Sequence, residues 1–417
     1  MYKYLKEIIH YKLVKDAISL YSAHVFNVVL GFVATIIIVR GLSPEVYGEF
    51  GLFYTSQLIL SLIIELGIFT AIGRLIAISH SPAKQKEIMG GGLLLAIIAG
   101  FILSVINLIV SLFIDQIFMV KAAYLFKRWW WLTGFSIVQI YLWNIFEGSA
   151  RIKKLSLFII LNKFTYFGIL LLFFLKNNGL SPDIVIVAYF LPYAFWGIIF
   201  ISGLKPGFKH IKQTLYVIFQ HTREYGFDIF LSNALGFLSI KIDQYFVAFF
   251  FGAKEMGYYH LATNIAHPLT LFAKSASTSA YRKIANVKKL PRNMLPGLIG
   301  VSVLGAIGLI ILVPFFLTPV FSQKFEPILA FFPIVVGHHL LYAVRIPFGI
   351  YFKAMAKGKL LFWASVFLIV TIVVFETLIN TRLGIRGPAL GMMLANSTIL
   401  VVVFILYRRT RREAEKS

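Results

Sequence analysis

Seven ionisable side chains of this sequence fall inside long apolar runs: Glu65, Lys163, Lys241, Asp243, Lys274, Arg345 and Glu376. A charge at the centre of an apolar helix costs about 2.5–3.5 kcal/mol on insertion scales, so each is first a candidate for chemistry. Lys163, Lys274 and Arg345 each lie eight residues from the basic or polar end of their run, as Arg345 does from Lys353. At 1.5 Å per residue that is one shared depth, about 12 Å from the boundary. Three cations at one depth form a candidate anion site, with Arg345 able to fork two phosphate oxygens and the lysines acting as point charges. Pro347 beside Arg345 frees a carbonyl, as at a kink next to a cavity, and Ser275, Ser277, Thr278 and Ser279 after Lys274 give a polar wall. The competing reading is snorkelling, in which the long stem carries the charge back to the interface.

The remaining charges suit coupling rather than substrate. Lys241 and Asp243 stand two apart, point in different directions on a helix and so need partners on other helices. Glu65 and Glu376 could carry a proton, or could be neutralised by Arg345 or Lys241. His24, His267, His338 and His339 lack the i,i+4 pairing with a carboxylate that a metal site uses, and read as structural. There is no cysteine, no Walker loop and no dinucleotide glycine fingerprint, so neither a cofactor nor a metal is expected. Gly90-Gly91-Gly92 resembles a phosphate nest only superficially and reads as close helix packing, and Trp129, Trp130 and Trp131 read as an interfacial belt.

The elements that must hold these residues are membrane spans. With 59% hydrophobic and 14% charged residues, the chain is far more apolar than a soluble protein, which averages about 45–50% and about 25%. Apolar runs and their breakers predict helices near 18–39, 46–72, 88–114, 129–146, 155–175, 184–204, 225–251, 256–280, 294–317, 328–352, 360–379 and 385–407. If the N-terminus is cytoplasmic, 27 of the 40 basic residues fall in inside segments, which predicts that both termini are inside. The net charge of +23 is then mostly a topology signal, and nucleic acid is excluded as a partner because the basic residues sit between apolar runs. No outside turn is long enough for a soluble catalytic domain.

Sliding the sequence by 209 residues lays Gly48-Glu49-Phe50-Gly51-Leu52 on Gly257-Tyr258-Tyr259-His260-Leu261. Six spans per half is an even number, so the repeats are parallel. The expected organisation is an all-α membrane protein of about twelve spans: an N-terminal six-helix bundle over 1–204, a cytoplasmic linker over 205–224 and a C-terminal bundle over 225–417.

The stretch from Arg40 to Phe50, its counterpart from Phe251 to Tyr259, and Gly148 to Arg151 resemble the Wzx-type polysaccharide or O-antigen flippases of the multidrug/oligosaccharidyl-lipid/polysaccharide (MOP) exporter superfamily. The resemblance implies alternating access between two six-helix bundles in a bacterial inner membrane. It also implies movement of an undecaprenyl-pyrophosphate-linked oligosaccharide, as in lipopolysaccharide assembly, coupled to a proton or sodium ion. Membrane lipid and polysaccharide polymerase machinery are the further partners implied. The pyrophosphate would take Arg345, Lys163 and Lys274, leaving Glu65, Lys241, Asp243 and Glu376 for the cavity and coupling. The acidic residue that drug-exporting relatives carry in their first span is missing from 18–39. The alternatives are another exporter of the superfamily, or a membrane polymerase or glycosyltransferase of the same pathway, which would need a larger outside loop or an acidic catalytic constellation.

Overall fold

The computed structural model describes residues 2–176, 179–281, 284, 287, 289–291, 293–355 and 357–416. Among them are helices and no strands. The helices are α1 (Tyr2–Gly41), α2 (Pro44–Glu65), α3 (Ile68–Ile78), α4 (Pro82–Val110), α5 (Ile114–Ile117), α6 (Ala123–Thr133), α7 (Ser136–Gly148), α8 (Ile152–Leu175) and α9 (Pro182–Ser202). They continue as α10 (Ile211–His221), α11 (Phe227–Phe250), α12 (Ala253–Ala266), α13 (Pro268–Ser279), α14 (Met294–Phe316), α15 (Phe332–Ala354), α16 (Gly358–Leu383) and α17 (Arg386–Lys416).

Helix lies over every interval the apolar runs marked, and among the described residues nine helices are long and apolar enough to cross a membrane. The other three intervals are interrupted or diluted. Residues 129–146 break between α6 and α7 at Gly134, where a Cβ would press on the Gly100 carbonyl of α4. Residues 256–280 break at His267 before Pro268, and α11 carries Lys241, Asp243 and Gln244. The expected run 46–72 also divides. Leu66 (φ 46°) and Gly67 (φ 77°) turn left-handed, and a Cβ on Gly67 would meet the Gly226 carbonyl, so only glycine fits. Ser81 and Ser181 cap α4 and α9, each accepting from the N–H three residues on, with Pro82 and Pro182 in the first turn.

The surface is apolar where a soluble protein's would be polar: Phe101, Leu304 and Phe315 are 66%, 71% and 73% exposed. This is the pattern of a chain solvated by lipid.

The chain forms two compact units. One comprises Met1–Leu42, Ser56–Ile114 and Ala122–Phe230. Its core joins Phe69 and Ile72 of α3, Leu103 of α4, Tyr141 and Phe146 of α7, and Phe158 of α8. The other comprises Ser43–Thr55, Asp115–Lys121 and Leu231–Ser417, with a core of Tyr351, Phe352, Ile372, Met392, Ile399 and Tyr407. Two early segments therefore belong with the late sequence. Inside that second unit the Met119 N–H donates to the Ala248 carbonyl (3.1 Å), and Gly48 packs on α12.

Helix starts repeat 209 residues apart: Tyr2 and Ile211, Pro44 and Ala253, Ala123 and Phe332. Gly48 and Gly257, separated by the same 209, pack on each other. A Cβ on Gly48 would strike the Ala253 carbonyl, and one on Gly257 would strike the Pro44 carbonyl, each four residues before its repeat partner. The glycine match that marked the repeat is thus a reciprocal backbone contact.

Candidate functional site

Among the described residues, the fully buried carboxyls lie in the interior of the second unit. Asp243 on α11 is 1% exposed, and its carboxylate accepts from the Tyr259 hydroxyl of α12 (2.8 Å) and from the Gln244 N–H (2.9 Å). Glu376 on α16 is fully buried, with no hydrogen-bond partner for either carboxyl oxygen among the described residues. Gly391 of α17 covers it so closely that a Cβ there would stand 2.8 Å from the Glu376 Cγ. Lys241 is half-buried and interacts electrostatically with Asp243 without closing to an ion pair among the described residues. Beside them, Gln244 accepts from Thr55 (2.6 Å) and from the His260 Nδ1 (3.2 Å), and donates to Thr263 (3.3 Å).

A small chamber opens next to this cluster, lined by His267 between α12 and α13, Thr270 of α13, His338, His339, Tyr342 and Arg345 of α15, and Asn396 of α17, with Ser239, Ile240 and Met392. Residues 338, 342 and 345 are spaced i, i+4, i+7, so one face of α15 supplies them. The Arg345 guanidinium lies 4.9 Å from the centre of the Tyr342 ring and has no carboxylate within ion-pair distance among the described residues. The proposed neutralisation of Arg345 by Glu65 or Glu376 is therefore not seen there.

Hydrogen bonds fix the polarity of the lining. The Asn396 amide nitrogen donates to the Met392 carbonyl (2.9 Å) and reaches the His338 Nδ1 (3.2 Å), which must then accept, leaving the His338 Nε2 as a donor. The His339 Nδ1 donates to the Val335 carbonyl (3.0 Å), and the His267 Nδ1 donates to Thr270 (3.2 Å), whose own proton goes to the His267 carbonyl. Their Nε2 atoms are acceptors. The Asn396 Oδ1 is a third acceptor, buried and without a partner among the described residues. The chamber thus combines a fixed cation and one imidazole donor with three acceptors.

The other predicted residues lie elsewhere. Lys274 is exposed on α13 and does not line the chamber. Lys163 belongs to the first unit, half-buried, with its Nζ 4.5 Å above the Tyr166 ring and packed against Gly31 of α1. Glu65, at the end of α2, accepts from Thr70 (3.2 Å). Gly90, Gly91 and Gly92 lie within α4, pressed by Gly207, by Thr214 and Ile218, and by Tyr141 and Ile72, so they pack helices as expected. Trp129 donates to Asp183 (2.5 Å), which also pairs with Arg128 (3.3 Å). No cluster of three metal-binding side chains occurs among the described residues.

Asn396 and the histidines are the site residues that sequence reasoning passed over. Their signal was the placement of His338 and Tyr342 on the helix face of Arg345.

Residues 13–282 match the family described as polysaccharide biosynthesis protein. No curated protein sequence matches the chain significantly. Among solved structures, an inward-facing multidrug resistance MATE family transporter of the MOP superfamily is 18% identical, over 94% of this chain and 96% of that one, at a TM-score of 0.75. The lipid II flippase MurJ in an inward closed conformation is also 18% identical, over 94% of this chain and 87% of that one, at a TM-score of 0.69. At such identities the likeness establishes the fold, and the family match covers well over half of the chain. The chain is a multi-pass membrane protein that belongs to the polysaccharide biosynthesis protein family and has the fold of the MOP-superfamily transporters.

Proposed function

We propose that this protein is a flippase that moves an undecaprenyl-pyrophosphate-linked oligosaccharide repeat unit across a bacterial inner membrane by alternating access, in exchange for a proton or sodium ion. In this reading the chain crosses the membrane twelve times, with both termini and the 205–224 linker cytoplasmic and with 1–204 and 225–417 as the two bundles. The observation that carries it is the Arg345 chamber, a guanidinium with no carboxylate partner among the described residues, set among acceptors that need donors. The space is water-sized in this conformation, and its lining would meet the phosphate and hydroxyl groups of a phosphate-linked sugar once the cavity opens. Lys163 and Lys274 add positive charge along the route. Asp243 and Glu376 are the coupling pair: Glu376, buried without a partner among the described residues, gains most from binding a cation or a proton, and Asp243 is the second buried carboxyl of the same unit.

The test is transbilayer movement of a defined lipid-linked oligosaccharide in proteoliposomes, with and without an imposed proton or sodium gradient. Gradient-dependent arrival in the outer leaflet is expected. Failure to move the lipid, or polymerisation of its sugars by the purified protein, would overturn the reading.

A further inference from the structure

The linker helix α10 carries a surface that no neighbour covers and that the flippase reading does not use. It is 11 residues long, about 16 Å, roughly half of what a crossing of the hydrocarbon layer requires. One face is fixed to the first unit. Thr214 and Ile218 are buried over Gly91 of α4, where a Cβ would stand 2.9 Å from Thr214 and 3.1 Å from Ile218. Just upstream, the Gly207 N–H donates to the Lys86 carbonyl (2.8 Å), and His210 reaches Glu87 (4.0 Å). These contacts set the face that α10 turns to the first unit.

The opposite face is aromatic and basic. Tyr216 is 72% exposed, Phe219 51% and Phe208, before the helix, 52%. Lys205, Lys209, Lys212 and Arg223 are exposed around them. The acid among them, Glu224, already accepts from Gln220 (3.0 Å). Lys212, Tyr216 and Phe219 follow the i, i+4, i+7 spacing of one helix face. Large rings flanked by lysines suit a headgroup layer, where the rings sit below the phosphates and the cations among them. Four basic residues against one engaged acid make that layer an anionic one.

We propose that the Lys205–Arg223 surface docks on anionic phospholipid at the membrane face and fixes the linker there. Attraction of about 1 kcal/mol per basic residue near such a surface means that each charge removed lowers docking about fivefold.

The sequence has no cysteine, so a single introduced thiol can be labelled without background. Tyr216→Cys and Phe219→Cys, each carrying a nitroxide in the full-length protein, would be reconstituted in phosphatidylcholine alone and with added phosphatidylglycerol. Relaxation by oxygen would be compared with relaxation by a water-soluble nickel chelate. The expected result is lipid-like access at both positions with phosphatidylglycerol. That access should be lost in phosphatidylcholine alone, and when Lys205, Lys209, Lys212 and Arg223 are all changed to Gln. Chelate access in both lipids would overturn the proposal. So would lipid-like access that ignores both the anionic lipid and the four substitutions, and so would protection that appears only when a soluble protein is added. The label reports docking directly, so the result is separable from any effect on transport.

Discussion

Each unit buries polar side chains in its interior, and the two differ in the charge of what they bury. In the first, Gln57 of α2 and Asn107 of α4 exchange a reciprocal pair of amide hydrogen bonds. Asn107 also reaches the Leu103 carbonyl (2.8 Å) and Thr133 (3.2 Å), and Ser61 meets Ser136 (2.8 Å). These groups are neutral and satisfied, which is how a polar contact stiffens helix packing in lipid. In the second unit the buried groups include the carboxyls of Asp243 and Glu376, with Arg345 half-buried, and both oxygens of Glu376 and the Oδ1 of Asn396 lack partners among the described residues. Matched amides make a scaffold, whereas a buried carboxyl without a partner is a candidate for binding an ion. On the function proposed above, the comparison points to the second unit.

Four measurements test this contrast. The largest effect belongs to the carboxyl pair. Asp243→Asn and Glu376→Gln should each abolish the response of transport to an ion gradient while lipid-linked substrate still binds; an undiminished response in both would remove these residues from coupling. Next is Arg345→Ala, expected to slow transport roughly 10- to 100-fold, the loss of a charge-assisted hydrogen bond to an anion, with Lys restoring part of it and Gln none. If Ala, Lys and Gln all transport at the unmodified rate, the guanidinium merely snorkels.

The third measurement concerns stability and has opposite signs in the two units. Gln57→Leu strands the Asn107 Oδ1 and should cost about 1–3 kcal/mol, read as a lower Tm in detergent. Glu376→Leu removes a buried carboxyl without partners and should raise Tm by a comparable free energy. A fall in both would mean that Glu376 is as well satisfied as Gln57. The smallest effect is Lys163→Ala, where losing a cation–π contact of about 0.5–1 kcal/mol should slow transport two- to fivefold, against no change for Lys163→Arg.

How much of this is legible in the sequence depends on whether the signal is local. A charge in an apolar run is visible at once, so Asp243, Glu376 and Arg345 stand out from the order of residues alone. The 209-residue repeat is visible too, because helix starts and a glycine contact recur in step. Neutral polar residues give no such signal. His338, His339 and Asn396 become a lining only when α15 and α17 are brought together, and a buried histidine in sequence looks like any core residue. The breaks at Leu66–Gly67 and Gly134 are hidden because they answer to backbone atoms of remote segments, the Gly226 and Gly100 carbonyls. Membership of Ser43–Thr55 in the second unit is hidden for the same reason.

That membership bears on how the protein is made. The α2 face around Gly48 leaves the ribosome 209 residues ahead of Gly257, the glycine it packs against. At roughly 5–20 residues per second, the interval is about 10–40 s of synthesis. During it, Gly48, Gly51 and Thr55 present bare backbone and an unsatisfied hydroxyl to the nascent membrane assembly. A fragment ending at residue 204 would hold that face open indefinitely, and two such fragments offer each other the same small-residue surface. Halves expressed apart should therefore self-associate through α2, and co-synthesis of the second half should release them.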